Sequence, residues 1–386
     1  MDKMQKIPLN VGNPVEGNSF YGREKQLDYA WQYYILNGTS MLLSAPRRVG
    51  KSSFSKKMIK MAEEKGWKAL YFDISDVKTE SQFIKLFSGG VESSSWLKKV
   101  GDVILKIFDS VKSNKISIDS AVWRNSTCKE IQQSIENIDH TLIVIDELGV
   151  FLNSLLIQEN GKKAVESFLI SLRKLRQETG KKIHWIFCSS IGIENFASMH
   201  QLSKHLNDLK SVPLEAFYEY EAKDFISRLD VDEKIQFTED DIQYILDKLV
   251  WHLPFFIQLL VEKINFLIVV EDYQLSNNTI NEAYNRLLIE NQKDFVPWNE
   301  RLKEYHEFED NSRKVLKLCA EVPTGRSRED LLANLTVRKS NVQKIETVLT
   351  QSLKMLKNDG YLIENNGKYT FRSPLLRDFW YCNFIK

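Results

Sequence analysis

The stretch Ala45-Pro46-Arg47-Arg48-Val49-Gly50-Lys51-Ser52-Ser53 constrains this chain more than any other. It matches G-x-x-x-x-G-K-[ST] with alanine at the first glycine. It follows a short apolar run of strand length, Ser40 to Ser44, and precedes a helical pattern from about Ser52 to Glu64. A phosphate-binding loop needs that order. Its backbone N–H groups must turn inward around a phosphate chain, and Gly50 permits the close approach. Lys51 sets a cation between the terminal phosphates, the Ser52 hydroxyl ligates Mg²⁺, and the helix aims its positive end at the same place. Alanine for the first glycine removes some freedom at the tightest bend. Gly-Lys-Ser occurs often by chance, but seldom between a strand and a helix.

Lys68–Ile74, Thr141–Glu147 and Ile183–Ser190 read as further strands, with an amphipathic helix over Gly161–Gln177. Upstream, Leu27, Ala30, Trp31, Tyr34 and Ile35 recur at helix spacing and stop at Asn37-Gly38. Lys78–Glu130 reads as helices and loops, with Gly89-Gly90, Ser93-Ser94-Ser95 and an apolar helix near Val103–Phe108. Strands alternating with helices predict a parallel sheet with right-handed crossovers, a three-layer α/β/α P-loop domain. In the third strand, four apolar residues lead into Asp146-Glu147. Asp146 would hold Mg²⁺ through water, and Glu147 would polarise the attacking water as general base. Ser190, with Ser189, would fall near the terminal phosphate if its strand is adjacent, and would sense it. The plainer alternative is a capping serine.

Strand signals stop after about Pro213. Glu219–Leu229, Thr238–Leu249 and Pro254–Phe266 read as helices of a second, all-helical unit. A third unit begins near Asn311: helices Arg313–Glu321, Arg328–Leu335 and Val342–Asn358, then two short strands around Asn365-Asn366-Gly367. The expected division is residues 1–212, 213–305 and 306–386. From Asn311 onward 14 Lys+Arg face 7 Asp+Glu, a net +7, which leaves 39 against 45 upstream, a net −6. A basic segment on an acidic body suggests a partner, although surface charge also varies between domains for no such reason.

Composition excludes several classes. With 43 % apolar and 27 % charged residues, the chain is neither disordered, collagenous nor a coiled-coil rod. No apolar run approaches the roughly 18 residues of a membrane span, and Met1–Asn10 is charged without an apolar core, so neither membrane nor secretory targeting is expected. Cys128, Cys188, Cys319 and Cys382 form no C-x-x-C pair, so a reduced, cytoplasmic setting is expected.

These residues together resemble the archaeal-type ATPases of the signal-transduction ATPase (STAND) branch of the AAA+ superfamily. The resemblance rests on Tyr21-Gly22-Arg23-Glu24, the Ser44–Ser53 loop, Ile145-Asp146-Glu147, Ser189-Ser190-Ile191-Gly192 and Trp251-His252-Leu253-Pro254-Phe255, and it runs from about Asn13 to Phe384. It implies ATP and Mg²⁺ as ligands. It also implies an adenine pocket lined by Phe20, Tyr21, Gly22 and Arg23, and a lid proline, Pro254, that approaches the nucleotide. The glycine expected before that proline is absent, which leaves a plain interhelical turn as the alternative. Arg173 and Arg176 follow the acidic pair and could include an arginine finger, but a solvated helix face is the expectation. The last unit resembles a winged helix, with Val342–Asn358 as recognition helix and Ile363–Thr370 as wing. Arg326, Arg328, Arg338, Lys339, Lys344, Lys354, Lys357 and Lys368 would supply phosphate contacts. Winged helices also dock proteins, so that choice stays open. Phe371–Tyr381 resembles the terminal helix of the group.

Three readings follow. The first is an ATP-hydrolysing molecular switch that controls the winged helix. The second is an ATP-gated DNA-binding regulator or initiator-like loader. The third is an oligomerising signalling or defence protein, which the lack of a C-terminal repeat array disfavours. ATP over GTP rests on the resemblance, with weak support from the absence of N-K-x-D.

Overall fold

The computed structural model describes residues 6–87, 95–112, 133, 135, 136, 138–190, 192–336 and 342–386. They fall into two units. One is drawn from Arg23–Ala45 and Lys51–Leu214, the other from Met1–Gly22, Pro46–Gly50 and Glu215–Lys386. Gly89, Gly90, Ser93, Ser94, Cys128, Ile191, Arg338 and Lys339 lie outside the described residues.

The first unit is built on five parallel strands: β1 (Met41–Ser44), β2 (Lys68–Asp73), β3 (Thr141–Asp146), β4 (Ile183–Ser189) and β5 (Lys210–Ser211). Their spatial order is β2-β3-β4-β1-β5. The strand after the acidic pair therefore lies between that pair's strand and the strand of the phosphate loop. Register pairs Ser44 with Ser189, Val144 with Ile186, and Asp73 with Asp146. β3 and β4 are buried along their whole length. That is why both read as continuous apolar runs, as strands covered on both faces do. Both end one residue before the expected boundary. Glu147 turns out of the strand with φ 60°, in the left-handed region. β5 escapes a reading by periodicity because it has only two residues, both exposed.

The strand period of two divides the core. Ile143 and Ile145 join Phe83, Phe108, Phe151, Phe168 and Leu172 in one cluster. Leu142 and Val144 face the other way. Helix Lys51–Glu64 packs against β3 and buries Phe54 and Met58 completely. Each such side chain contributes about 1.5–3 kcal/mol. The apolar helix expected near Val103–Phe108 extends over Ser95–Lys112.

One expectation fails here. Arg176 is not on a solvated face but is 4 % exposed. Its Nε and Nη2 donate to the two carboxylate oxygens of Asp208 at 2.9 and 2.7 Å, and Nη2 also donates to the His205 carbonyl at 2.9 Å. The planar fork is used for a bidentate internal pair, which ties helix Gly161–Thr179 to the segment before β5. Arg173 donates to the Lys204 carbonyl at 2.5 Å. Both arginines thus serve the packing of this unit.

The second unit is mainly helical. Helices Glu219–Arg228, Glu239–Leu249 and Pro254–Val270 stand close to the expected positions. Thr238 and Asp241 form a capping box at the second. The third runs on past Phe266 because Leu267 and Ile268 continue its buried surface. Asn277–Glu290, Gln292–Glu300 and the 3₁₀ segment Arg301–Phe308 follow. Strands do not stop after Pro213, as the sequence suggested: Leu229–Asp230 pairs in parallel with Ile7–Pro8. Two residues are too few to show a period. The C-terminal part contains helices Glu309–Glu321, Arg328–Thr336 and Val342–Asn358 and the terminal helix Pro374–Phe384. It also contains a three-stranded antiparallel sheet in which Lys368–Phe371 lies between Arg326–Ser327 and Leu362–Asn365. Arg326–Ser327 is again too short to be read from the sequence. No described helix is long and apolar enough to cross a membrane. Cys188, Cys319 and Cys382 are free thiols.

Candidate functional site

At the carboxyl end of β1, the chain passes through Pro46–Gly50 into helix Lys51–Glu64. Arg48 (φ 65°) and Gly50 (φ 99°) both take left-handed backbone. At Gly50 this conformation, not crowding, requires glycine, since nothing lies within 4 Å of where a Cβ would be. Lys51 is 7 % exposed, and its ammonium donates to the Ala45 carbonyl at 2.7 Å. The lysine therefore folds back over the start of its own loop.

Ser52 follows on the first turn. Its hydroxyl donates to Asp146 Oδ2 at 2.8 Å. Asp146 is 3 % exposed at the end of β3. Its Oδ1 accepts the Glu147 N–H at 2.9 Å, and its Oδ2 also accepts the Tyr71 hydroxyl of β2. Glu147 immediately precedes helix Leu148–Leu156, and its carboxylate Oε2 accepts the Ser190 hydroxyl at 2.6 Å. Ser190 is 7 % exposed just beyond β4. The strand order explains the assembly: β3 and β1 flank β4, so residues at the carboxyl ends of all three converge. Burial pushes the Cys188 thiol of β4 well up, as does the nearby Asp146 charge, so it stays neutral. Burial and Asp146 likewise hold the Tyr71 phenol protonated.

The first unit thus brings Ala45, Lys51, Ser52, Asp146, Glu147 and Ser190 together. Ser53 is half-buried one residue further along the helix. Tyr71 is the residue that sequence reasoning missed. The available signal was no more than a polar-tipped aromatic two positions before Asp73 in a predicted strand.

Tyr21, Gly22 and Pro254 belong to the second unit, and Arg23 opens the first. None of the contacts described above involves these four. Tyr21 packs on Phe217 and Phe225, and its hydroxyl donates to Asp224 at 2.6 Å. Gly22 (φ 70°) and Arg23 (φ 67°) form a left-handed pair that starts helix Glu24–Ala30. Pro254 stands in the first turn of its helix. The loop residues Pro46–Gly50 are grouped with this same unit. Arg48 stacks over the Phe255 ring at 4.2 Å, donates to the Gly12 carbonyl at 2.9 Å and lies 3.9 Å from Asp294. Gly360 (φ 82°) comes so close that a Cβ there would lie 2.7 Å from Pro46 Cγ and 2.9 Å from Trp251 Cη2. Trp251 is 5 % exposed and lies under the Arg372 guanidinium at 4.9 Å. The Trp251–Pro254 turn therefore carries a packing anchor.

The basic residues expected to meet phosphates divide. Arg326 does not face outward for that purpose: it is held by Glu321, Asp330 and the Leu318 carbonyl. Arg328 donates to Thr350 at 2.7 Å and Lys357 to Glu364 at 2.7 Å. For Arg326 and Lys357, opposite charges at short spacings along the chain made these internal pairs available. Lys344, Lys354 and Lys368 are exposed.

The donor set fits Mg²⁺. A hydroxyl and a carboxylate oxygen 2.8 Å apart at a helix start are hard oxygen ligands. Among the described residues no cluster of three His, Cys, Asp or Glu could hold a metal. Mg²⁺ needs none when phosphates and waters complete its shell.

No family model matches the chain, and no curated protein does. Solved structures are similar. The Walker-type ATPase PABY2304 of Pyrococcus abyssi aligns over 96 % of this chain and 99 % of its own at 17 % identity, with a TM-score of 0.60. The ORC2 protein of Aeropyrum pernix, solved as ADPNP–ADP complexes, aligns over 96 % of this chain and 95 % of its own at 12 % identity, with a TM-score of 0.55. The fold is that of the AAA+ P-loop NTPases, a parallel α/β sheet with a helical C-terminal region.

Proposed function

We propose that this chain binds ATP with Mg²⁺, hydrolyses it slowly, and works as a cytoplasmic molecular switch of the STAND kind. The observation that carries this reading is the single hydrogen-bonded cluster of Ser52, Asp146, Glu147 and Ser190 beside Lys51. In this reading residues 1–212 form the ATPase domain, 213–305 a helical lid and 306–386 a winged helix.

The residues divide the work. Backbone N–H groups of Ala45–Ser53 and the helix start receive the phosphates. Lys51 exchanges its Ala45 carbonyl for phosphate oxygens. Ser52 and Asp146 would hold Mg²⁺, which when bound neutralises charge on the transferring phosphoryl group. Glu147 orients a water and takes its proton. Ser190 donates to Glu147 and is also the hydroxyl nearest in kind to a γ-phosphate sensor. When it turns to the phosphate, it frees Oε2 of Glu147 for water. Phe20, Tyr21, Gly22 and Arg23 would line the adenine pocket, and Pro254 would report from the lid. The packing of Pro46 and Arg48 with Gly360 and Phe255 supports a route from the phosphate loop to the C-terminal region. A nucleotide moves such an equilibrium only by contacting the two states differently.

Isothermal titration and phosphate release test this directly. The expected result is ATP binding strengthened by Mg²⁺, with slow release of phosphate. No heat from ATP at any Mg²⁺ concentration would overturn the reading.

A second reading, in which the switch gates DNA binding, is favoured by the net +7 of residues 311–386 and by exposed Lys344, Lys354 and Lys368. Duplex binding should then fall steeply with salt and differ between ATP and ADP. Absence of binding at low salt in both states would make this segment a docking surface for protein, including a second copy of the chain.

A further inference from the structure

Asp146 is a crowded carboxylate. Its Oδ1 accepts the Glu147 N–H at 2.9 Å, and its Oδ2 accepts both Ser52 Oγ at 2.8 Å and the Tyr71 hydroxyl. The Glu147 donor is a backbone N–H on Oδ1, and Ser52 must also turn a lone pair to Mg²⁺. Tyr71 is the donor on Oδ2 with no other task in the reading above. It comes from the neighbouring strand, where register sets it beside Val144, two residues before Asp146. Its ring is half-buried, with the Lys56 ammonium 5.8 Å above it. The phenol is thus carried by a strand other than the one that leads into the loop.

We propose that Tyr71 is a positioning residue whose hydroxyl holds the Asp146 carboxylate in the orientation that receives Mg²⁺ with the nucleotide. This rests on the ATP–Mg²⁺ reading of the site. While a lone pair of Ser52 goes to the metal, the Tyr71 hydrogen bond on Oδ2, together with the Glu147 N–H on Oδ1, keeps the carboxylate from rotating away. Outer partners of this type change metal affinity by about 10- to 100-fold when removed.

The test is the affinity of the full chain for a fluorescent ATP analogue, first in EDTA and then across a MgCl₂ series. Tyr71→Phe should leave the affinity in EDTA unchanged and raise the Mg²⁺ concentration at half-effect about tenfold. Asp146→Ala removes the group on which Tyr71 acts. Adding Tyr71→Phe to it should therefore change nothing further, whereas a purely structural role would add its own loss. If Tyr71→Phe and the parent respond identically to Mg²⁺, the role of Tyr71 is overturned while the site stands. If the parent itself shows no response to Mg²⁺, both fall.

Discussion

Glu147→Gln is expected to keep its affinity for ATP and to lose between about a hundred- and ten-thousandfold of its hydrolysis rate, the usual contribution of a positioned base. The substitution is close to isosteric. The amide oxygen can still accept the Ser190 hydroxyl that now reaches Oε2 at 2.6 Å, and the backbone at φ 60° is unaltered. What disappears is the capacity to take a proton. Lys51, Ser52 and Asp146 are untouched, so ground-state binding persists. Phosphate release under single turnover, beside a titration of ATP binding, measures both halves. A rate equal to that of the parent would move the base to another residue and leave Glu147 as the hydrogen-bond partner of Ser190.

Lys51→Ala should cost at least about a hundredfold in ATP affinity. Charge-assisted hydrogen bonds are worth about 1.5–3 kcal/mol each, and one ammonium can make two to phosphate oxygens. The side chain is 7 % exposed and folded onto the Ala45 carbonyl, so it is already desolvated before nucleotide arrives. Truncation leaves that carbonyl without its donor and the phosphates without a cation. Titration calorimetry at fixed Mg²⁺ reads the loss. Tight ATP binding by Lys51→Ala would sink the assignment of Ala45–Ser53 as the phosphate site.

The two substitutions differ in how far ahead they could be seen. Lys51 and Ser52 stand within a contiguous motif whose spacing is itself the geometry, because a strand, a loop and a helix start adjoin along the chain. Asp146-Glu147 was visible as acids ending an apolar run. Ser190 was visible only as a hydroxyl at a strand end; its bond to Glu147 depends on β4 lying beside β3. Arg176 was misread because helix spacing cannot distinguish a solvated arginine from one that meets Asp208, 32 residues further along the chain. Arg326 differs: Glu321 and Asp330, which claim its donors, stand only five and four residues away.

By itself, then, the sequence determined the local elements that carry their own pattern: the strand–loop–helix passage through Ala45–Ser53, the buried parallel strands, the acidic strand end and most helices. It did so because a strand buried on both faces is apolar along most of its length, and a loop with left-handed backbone before a helix start calls for glycine at a set place. Only the tertiary structure decided which strands adjoin and in what register, and hence that Tyr71 meets Asp146 and Ser190 meets Glu147. These are contacts between residues far apart in the chain. Their partners are chosen by strand order and side-chain reach, neither of which leaves a period in the sequence.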